Sequence, residues 1–134
     1  MPNLISLVLE CFYSDALKKN SARQIRLSFL LHAWDKTLDY SDNTLADAVQ
    51  YEKSISEFFA NIKAALLNDD GILKKWGAPE KELFADFQAA QNDVHAKLCD
   101  NLNTHGACMA LRDIVSSTNK YLAKQENPDF KLLR

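Results

Sequence analysis

"SARQIRLSFLLHAWDKTLDYSDNTL", Ser21 to Leu45, decides the fold class. Ser-x-x-Gln at Ser21 to Gln24 has the form of a capping box, in which the two side chains satisfy backbone N–H groups that a helix start leaves without intrahelical partners. No alternation of apolar and polar residues follows. After Arg26 the segment is apolar nearly all round, the pattern of a helix buried on most sides. "LDYSDNTL" then ends it, because Asp, Ser and Asn hydrogen-bond their own backbone and favour turns and caps. A second helix is expected from Asn43 or Thr44. Spacings of three and four recur from Ser21 to about Leu122, so the chain is read as all-α: an antiparallel bundle of four helices, or five if Leu4 to Lys19 forms one as well.

The second helix carries Leu45, Ala48, Ile55, Phe59, Ile62 and Leu66 as an apolar stripe, interrupted by Glu52. "NDDGILKKWGAP", Asn68 to Pro79, holds two of the three glycines and a proline. It is expected to be the longest connection, with a short turn around Leu73 to Trp76. Pro79 suits the first turn of a third helix, and Glu80 and Glu82 suit its dipole. Phe84, Phe87, Gln91, Val94 and Leu98 trace the inner face expected for it. "DNLNT", Asp100 to Thr104, breaks that helix, and Asn103 or Thr104 caps a fourth. Its inner stripe reads Ala107, Leu111, Ile114, Thr118 and Tyr121, with Gly106 early enough to cost little or to allow close packing. Three segments result: an opening of 1–13, a bundle over 14–123 and a flexible tail over 124–134.

With 134 residues, 47% of them apolar, the chain supports one core of ordinary size. Three glycines do not equip a nucleotide-binding parallel sheet. A formal charge of −2 argues against nucleic-acid binding through bulk charge and leaves room for a local basic face. Cys11, Cys99 and Cys108 form no CxxC pair and have no histidine at zinc-ligand spacing, so they read as unbridged thiols in a reducing compartment. The apolar run Leu4 to Leu9 is too short for a membrane span and lacks the basic front of a signal peptide.

Catalytic signatures are missing: no Gly-x-Ser-x-Gly, P-loop or Gly-x-Gly-x-x-Gly occurs. His32, His95 and His105 fall on different elements and read as packed or surface side chains, and Asp69 and Asp70 read as turn residues. Trp34 and Trp76 are expected in the core rather than stacked on bases. Lys18, Lys19, Arg23 and Arg26 form a basic corner, the two arginines sharing a helical face. Such a corner can grip phosphates or pair with acids of its own bundle, and the residues alone leave both readings open.

"DALKKNSARQIR", "FLLHAW" and "LDYSDNTL", in that order within Ser14 to Glu52, resemble the helical region that follows the catalytic domain in cysteinyl-tRNA synthetases. That region contacts the anticodon stem and is related to the DALR domains of several class I synthetases. "VHAKLCDNLNT" resembles the family's helix ending in Asp-Asn-x-Asn/Asp-Thr, and the resemblance spans roughly Ser14 to Leu122. Where bacterial members tend to read His-Tyr-Arg-Ser, this chain has Ala33-Trp34-Asp35-Lys36, which places it with the eukaryotic cytosolic form and implies a cytoplasmic location.

The resemblance also marks what this sequence does not contain. The family holds zinc through cysteines, a histidine and a glutamate, and binds ATP through His-x-Gly-His and Lys-Met-Ser-Lys-Ser signatures; neither signature occurs here. "MPNLISLVLECFY" matches nothing in the family, so the chain is read as a truncated product whose catalytic domain lies upstream. The expectation is a cysteine–tRNA ligase segment without catalysis, cofactor or metal of its own. It would meet a cysteine-accepting tRNA and the catalytic domain, with neither membrane nor DNA as partner, through Lys18, Lys19, Arg23 and Arg26. A free-standing helical protein-interaction module is the alternative, and a helical metal or redox protein a distant third.

Overall fold

The computed structural model describes residues 16–38, 41–67, 75–125 and 128–133. The expectations for the opening segment, for Cys11, for Asp69 and Asp70, and for a turn beginning at Leu73 lie outside these residues. Among the described residues all regular structure is helical. Residues 16–19 are helical, followed by α1 (Ala22–Leu30), α2 (Asp42–Leu67), α3 (Ala78–Cys99), α4 (Thr104–Lys124) and a 3-10 turn (Phe130–Leu133). The chain separates into two compact units, with the boundary between Glu52 and Lys53.

In the first unit the capping box forms as expected: Gln24 N–H donates to Ser21 Oγ at 3.2 Å and Ser21 N–H to Gln24 Oε1 at 2.9 Å. Asn20 N–H reaches Ala16 O at 2.9 Å, which closes the preceding helical turn immediately before the cap. Ala16, Ile25 and Leu45 form one buried cluster. Ser28 is buried with them, and its hydroxyl is satisfied by Ile25 O at 2.7 Å. Helix α2 begins one residue earlier than expected, at Asp42, because Ser41 supplies the cap: its Oγ accepts from Thr44 N–H at 3.3 Å.

In the second unit α3 and α4 form an antiparallel hairpin, since Glu80 in the first turn of α3 meets Tyr121 in the last turn of α4. Asn103 caps α4, with Oδ1 accepting from Gly106 N–H at 2.8 Å. The reversal before it is tight. Asn101 and Leu102 both take left-handed backbone, φ 52° and 53°, a region that suits asparagine far better than leucine. Gly106 does allow close packing, because a Cβ there would lie 2.9 Å from Lys97 Cδ and 3.0 Å from the Asn103 side chain.

Several core expectations need correction. On α3 the buried residue is Leu83, while Phe84, Phe87 and Leu98 are exposed. Val94 is half-buried, in keeping with its expected inward position; Ala90 is half-buried too, whereas Gln91 is exposed. On α4 Ala107, Thr118 and Tyr121 are buried as expected, but Leu111 is exposed and Ala110 and Val115 are buried instead. Phe59 is 62% exposed and Trp34, expected in the core, 63% exposed. Asp129 is buried, and a 3-10 turn, Phe130–Leu133, follows it.

Candidate nucleic-acid interface

The basic corner lies wholly in the first unit. Lys18 and Lys19 belong to the helical turn that ends at Asn20, and Arg23 and Arg26 to the first two turns of α1. The Ser21 cap lies between the two pairs. It fixes where one helical segment stops and the next begins, and so fixes how the four side chains are spaced along the surface. All four are exposed, whereas Ile25 and Ser28 of α1 are buried. The helix is therefore amphipathic at its N-terminal half, with its cations on the solvent side.

One of these cations has an acid partner within its own unit. Arg23 Nε stands 3.2 Å from Glu52 Oε1, and the two side chains are 70% and 19% exposed. This pairing explains the single interruption in the α2 stripe: Glu52 occupies a stripe position because it faces Arg23. The interruption itself was the available signal, since a carboxylate at an inward position calls for a cation. An exposed pair of this kind is worth only about 0–1 kcal/mol, so it holds the guanidinium loosely and leaves most of its surface in water.

The remaining candidates are distributed elsewhere. His32 Nε2 contacts Thr37 O at 3.1 Å in the segment after α1, close in sequence to exposed Trp34. His95 Nε2 and Cys99 Sγ lie 3.6 Å apart, one turn from each other on exposed α3 surface. Neither Cys99 nor Cys108 is in a disulfide. Among the described residues no three or more His, Cys, Asp or Glu side chains are placed to hold a metal ion, and no helix is long and apolar enough to cross a membrane.

A second polar constellation, missed in the sequence, lies in the second unit. Trp76 Nε1–H donates to Asp129 Oδ2 at 2.9 Å, Asp129 N–H to the Tyr121 hydroxyl at 2.9 Å, and Tyr121 O–H to Glu80 Oε1 at 2.8 Å. Gly77 N–H closes the chain on Glu80 Oε2 at 2.8 Å. Burial pushes the Tyr121 phenol up, and the adjoining Glu80 and Asp129 carboxylates add to this against the Asp129 N–H bond, to about 12. At Glu80 burial acts upward, but hydrogen bonds from Tyr121 and from the Gly77 and Glu80 backbone prevail and hold the carboxyl below its ordinary value. No local pattern announces this network, because Trp76 and Asp129 are 53 residues apart.

No family model matches the chain. It is similar to cytoplasmic cysteine–tRNA ligases: 48% identical over 115 residues to that of Xenopus tropicalis and 46% identical over 115 residues to that of Homo sapiens, in both cases 84% of this chain and 15% of the relative. To that of Drosophila melanogaster it is 47% identical over 113 residues, 81% of this chain and 15% of the relative. The chain thus spans about 15% of the length of the curated relatives it matches.

Proposed function

From its kinship, over 84% of its length, with one segment of the cytoplasmic cysteine–tRNA ligases, we propose that the chain serves tRNA aminoacylation in the cytoplasm by contacting the tRNA stem and scaffolding the synthetase, without catalysis of its own. The observation that carries the tRNA contact is the exposed set Lys18, Lys19, Arg23 and Arg26, spaced on either side of the Ser21 cap along two successive helical segments. A-form RNA is held largely through its backbone and shape, and a few exposed cations on a rigid helical surface suit that task better than a code for bases. The partners are a cysteine-accepting tRNA and the catalytic domain of the synthetase. ATP and zinc belong to that domain.

The deciding measurement is fluorescence anisotropy of labelled tRNA with the purified chain at low and near-physiological salt, using a cysteine tRNA and an unrelated one. Salt-sensitive binding is expected, and preference for the cysteine tRNA assigns a share of selection to this segment. A folded monomer that binds neither tRNA overturns the contact role. Cysteinyl-adenylate formation by the chain alone would overturn the absence of catalysis.

A second reading, a helical protein-interaction module, is favoured by one observation: Phe59 and Phe87, 62% and 52% exposed, stand on the surface of the second unit. Apolar surface of this kind marks sites of association. Concentration-dependent association in light scattering, without tRNA binding, would favour it.

A further inference from the structure

His95 and Cys99 lie at the end of α3, and residues four apart on a helix are neighbours on one face. The cysteine spacing alone hides this, because the two positions meet only once the segment is helical. Nε2 and Sγ stand 3.6 Å apart. A tetrahedral zinc ion takes sulfur at about 2.3 Å and imidazole nitrogen at about 2.0–2.1 Å, which sets two such donors about 3.5 Å from each other. The pair therefore has the bite of a chelate. Both side chains are exposed, so an ion reaches them without any opening of the unit. The local field also suits a cation: Cys99 is the last residue of α3, at the negative end of the helix dipole. Lys97, the basic residue of that last turn, is directed elsewhere. Its Nζ lies 4.0 Å from Asp93 Oδ1, its Cδ is the atom that a Cβ at Gly106 would meet at 2.9 Å, and residues two apart on a helix do not face each other.

We propose that His95 and Cys99 form a two-ligand site for a zinc ion, whose other two positions are left to water or to a donor from another molecule. Thiolate and imidazole are donors that suit zinc, and a soft sulfur ligand selects against magnesium and calcium. On binding, the Cys99 thiol gives its proton to solvent as the metal–sulfur bond forms. The neutral imidazole supplies the Nε2 lone pair, with its own proton on Nδ1. Structural zinc sites close with four protein ligands and catalytic ones use three. Two make this ion exchangeable, bound by chelation on a rigid helix surface rather than enclosed by the fold. The inference is independent of the tRNA reading.

The test uses the reduced full chain, kept under nitrogen and titrated with cobalt(II), which occupies zinc sites and reports a bound thiolate by a sulfur-to-metal charge-transfer band in the near ultraviolet. A saturable band is expected, and added zinc should abolish it by displacing the cobalt. Cys99→Ser should remove the band. His95→Ala should weaken cobalt binding at least about tenfold, since the loss of even an outer partner of a metal ligand costs about 10–100-fold. Both side chains are exposed, and circular dichroism checks that the variants keep their helices. No band at a large excess of cobalt would leave the pair as a thiol–imidazole hydrogen bond and overturn the proposal. A band that survives Cys99→Ser would place the ion on another thiol, and an affinity unchanged by His95→Ala would mean that the thiol binds without its partner; either result equally overturns it.

Discussion

The Tyr121 hydroxyl stands 2.8 Å from Glu80 Oε1, so the last turn of α4 is tied to the first turn of α3. The same oxygen accepts from Asp129 N–H, which makes one buried hydroxyl the junction of three chain segments. Tyr121→Phe keeps the ring and removes both bonds, leaving the Asp129 N–H without its acceptor. A buried donor left unmade costs about 1–3 kcal/mol. Urea denaturation should show a loss in that range with an unchanged slope; a loss under about 0.5 kcal/mol would mean water replaces the hydroxyl.

The phenol of Tyr121 is pushed up to about 12 from its ordinary 10.0. Between these values the unfolded chain has lost the proton and the folded chain keeps it. This contribution to stability is therefore complete below pH 10 and is lost as pH rises through 12. Glu80 has the opposite sense: its carboxyl is held below 4.5, so its contribution is present above that pH and fades on further acidification. The stability difference between the native chain and Tyr121→Phe should be flat from pH 7 to 10 and shrink by roughly 1–3 kcal/mol towards pH 12. A difference that stays constant through that range would contradict the shifted phenol.

Leu102 holds left-handed backbone at φ 53° and its side chain is exposed. Left-handed geometry strains an ordinary side chain by roughly 1–2 kcal/mol. Glycine relieves this and in return has more freedom in the unfolded chain. Leu102→Gly should raise stability by about 0.5–1 kcal/mol, measured by thermal denaturation. Asn101→Gly, at φ 52°, should gain less, since asparagine tolerates the region. A destabilised Leu102→Gly would show that packing of this side chain is worth more than the strain.

Caps were legible in the sequence and faces were not, for a physical reason. Ser21 and Asn103 act on N–H groups three residues away, so a short window contains the whole interaction. Which face of α3 turns inward depends on its neighbour. Phe84 and Phe87 drew the sequence reading because they are large, yet Leu83 is the residue buried. Glu52 could be read as an interruption but not as the partner of Arg23, and nothing near Asp129 in the sequence points to Trp76. The cation set was legible as a corner because its four members lie within nine residues, Lys18 to Arg26.

Cap removal tests the local reading directly. Ser21→Ala and Asn103→Ala each remove a side-chain acceptor from a helix start and should cost about 1 kcal/mol apiece. The pair lies in different units and shares no partner, so the double variant should be additive to within about 0.5 kcal/mol. Chemical denaturation of the three variants checks this; a clear excess in the double variant would show that the two helix starts are coupled.

The Arg23–Glu52 pair separates a binding role for the arginine from a structural one. If the corner meets tRNA phosphates, Glu52 is an acid beside the site that repels the backbone and competes for Arg23, from which it lies 3.2 Å. Glu52→Gln should then tighten tRNA binding about two- to fivefold and change stability by under about 1 kcal/mol, the worth of an exposed pair. Arg23→Ala with Arg26→Ala should weaken binding to all tRNAs alike and flatten the dependence of log Kd on log salt by about one for each phosphate that the arginines no longer neutralise. Anisotropy titrations at three salt concentrations resolve the slopes. Were Arg23 only a bundle cross-link, Glu52→Gln and the double arginine variant would shift stability in the same direction and leave the salt slope where it was.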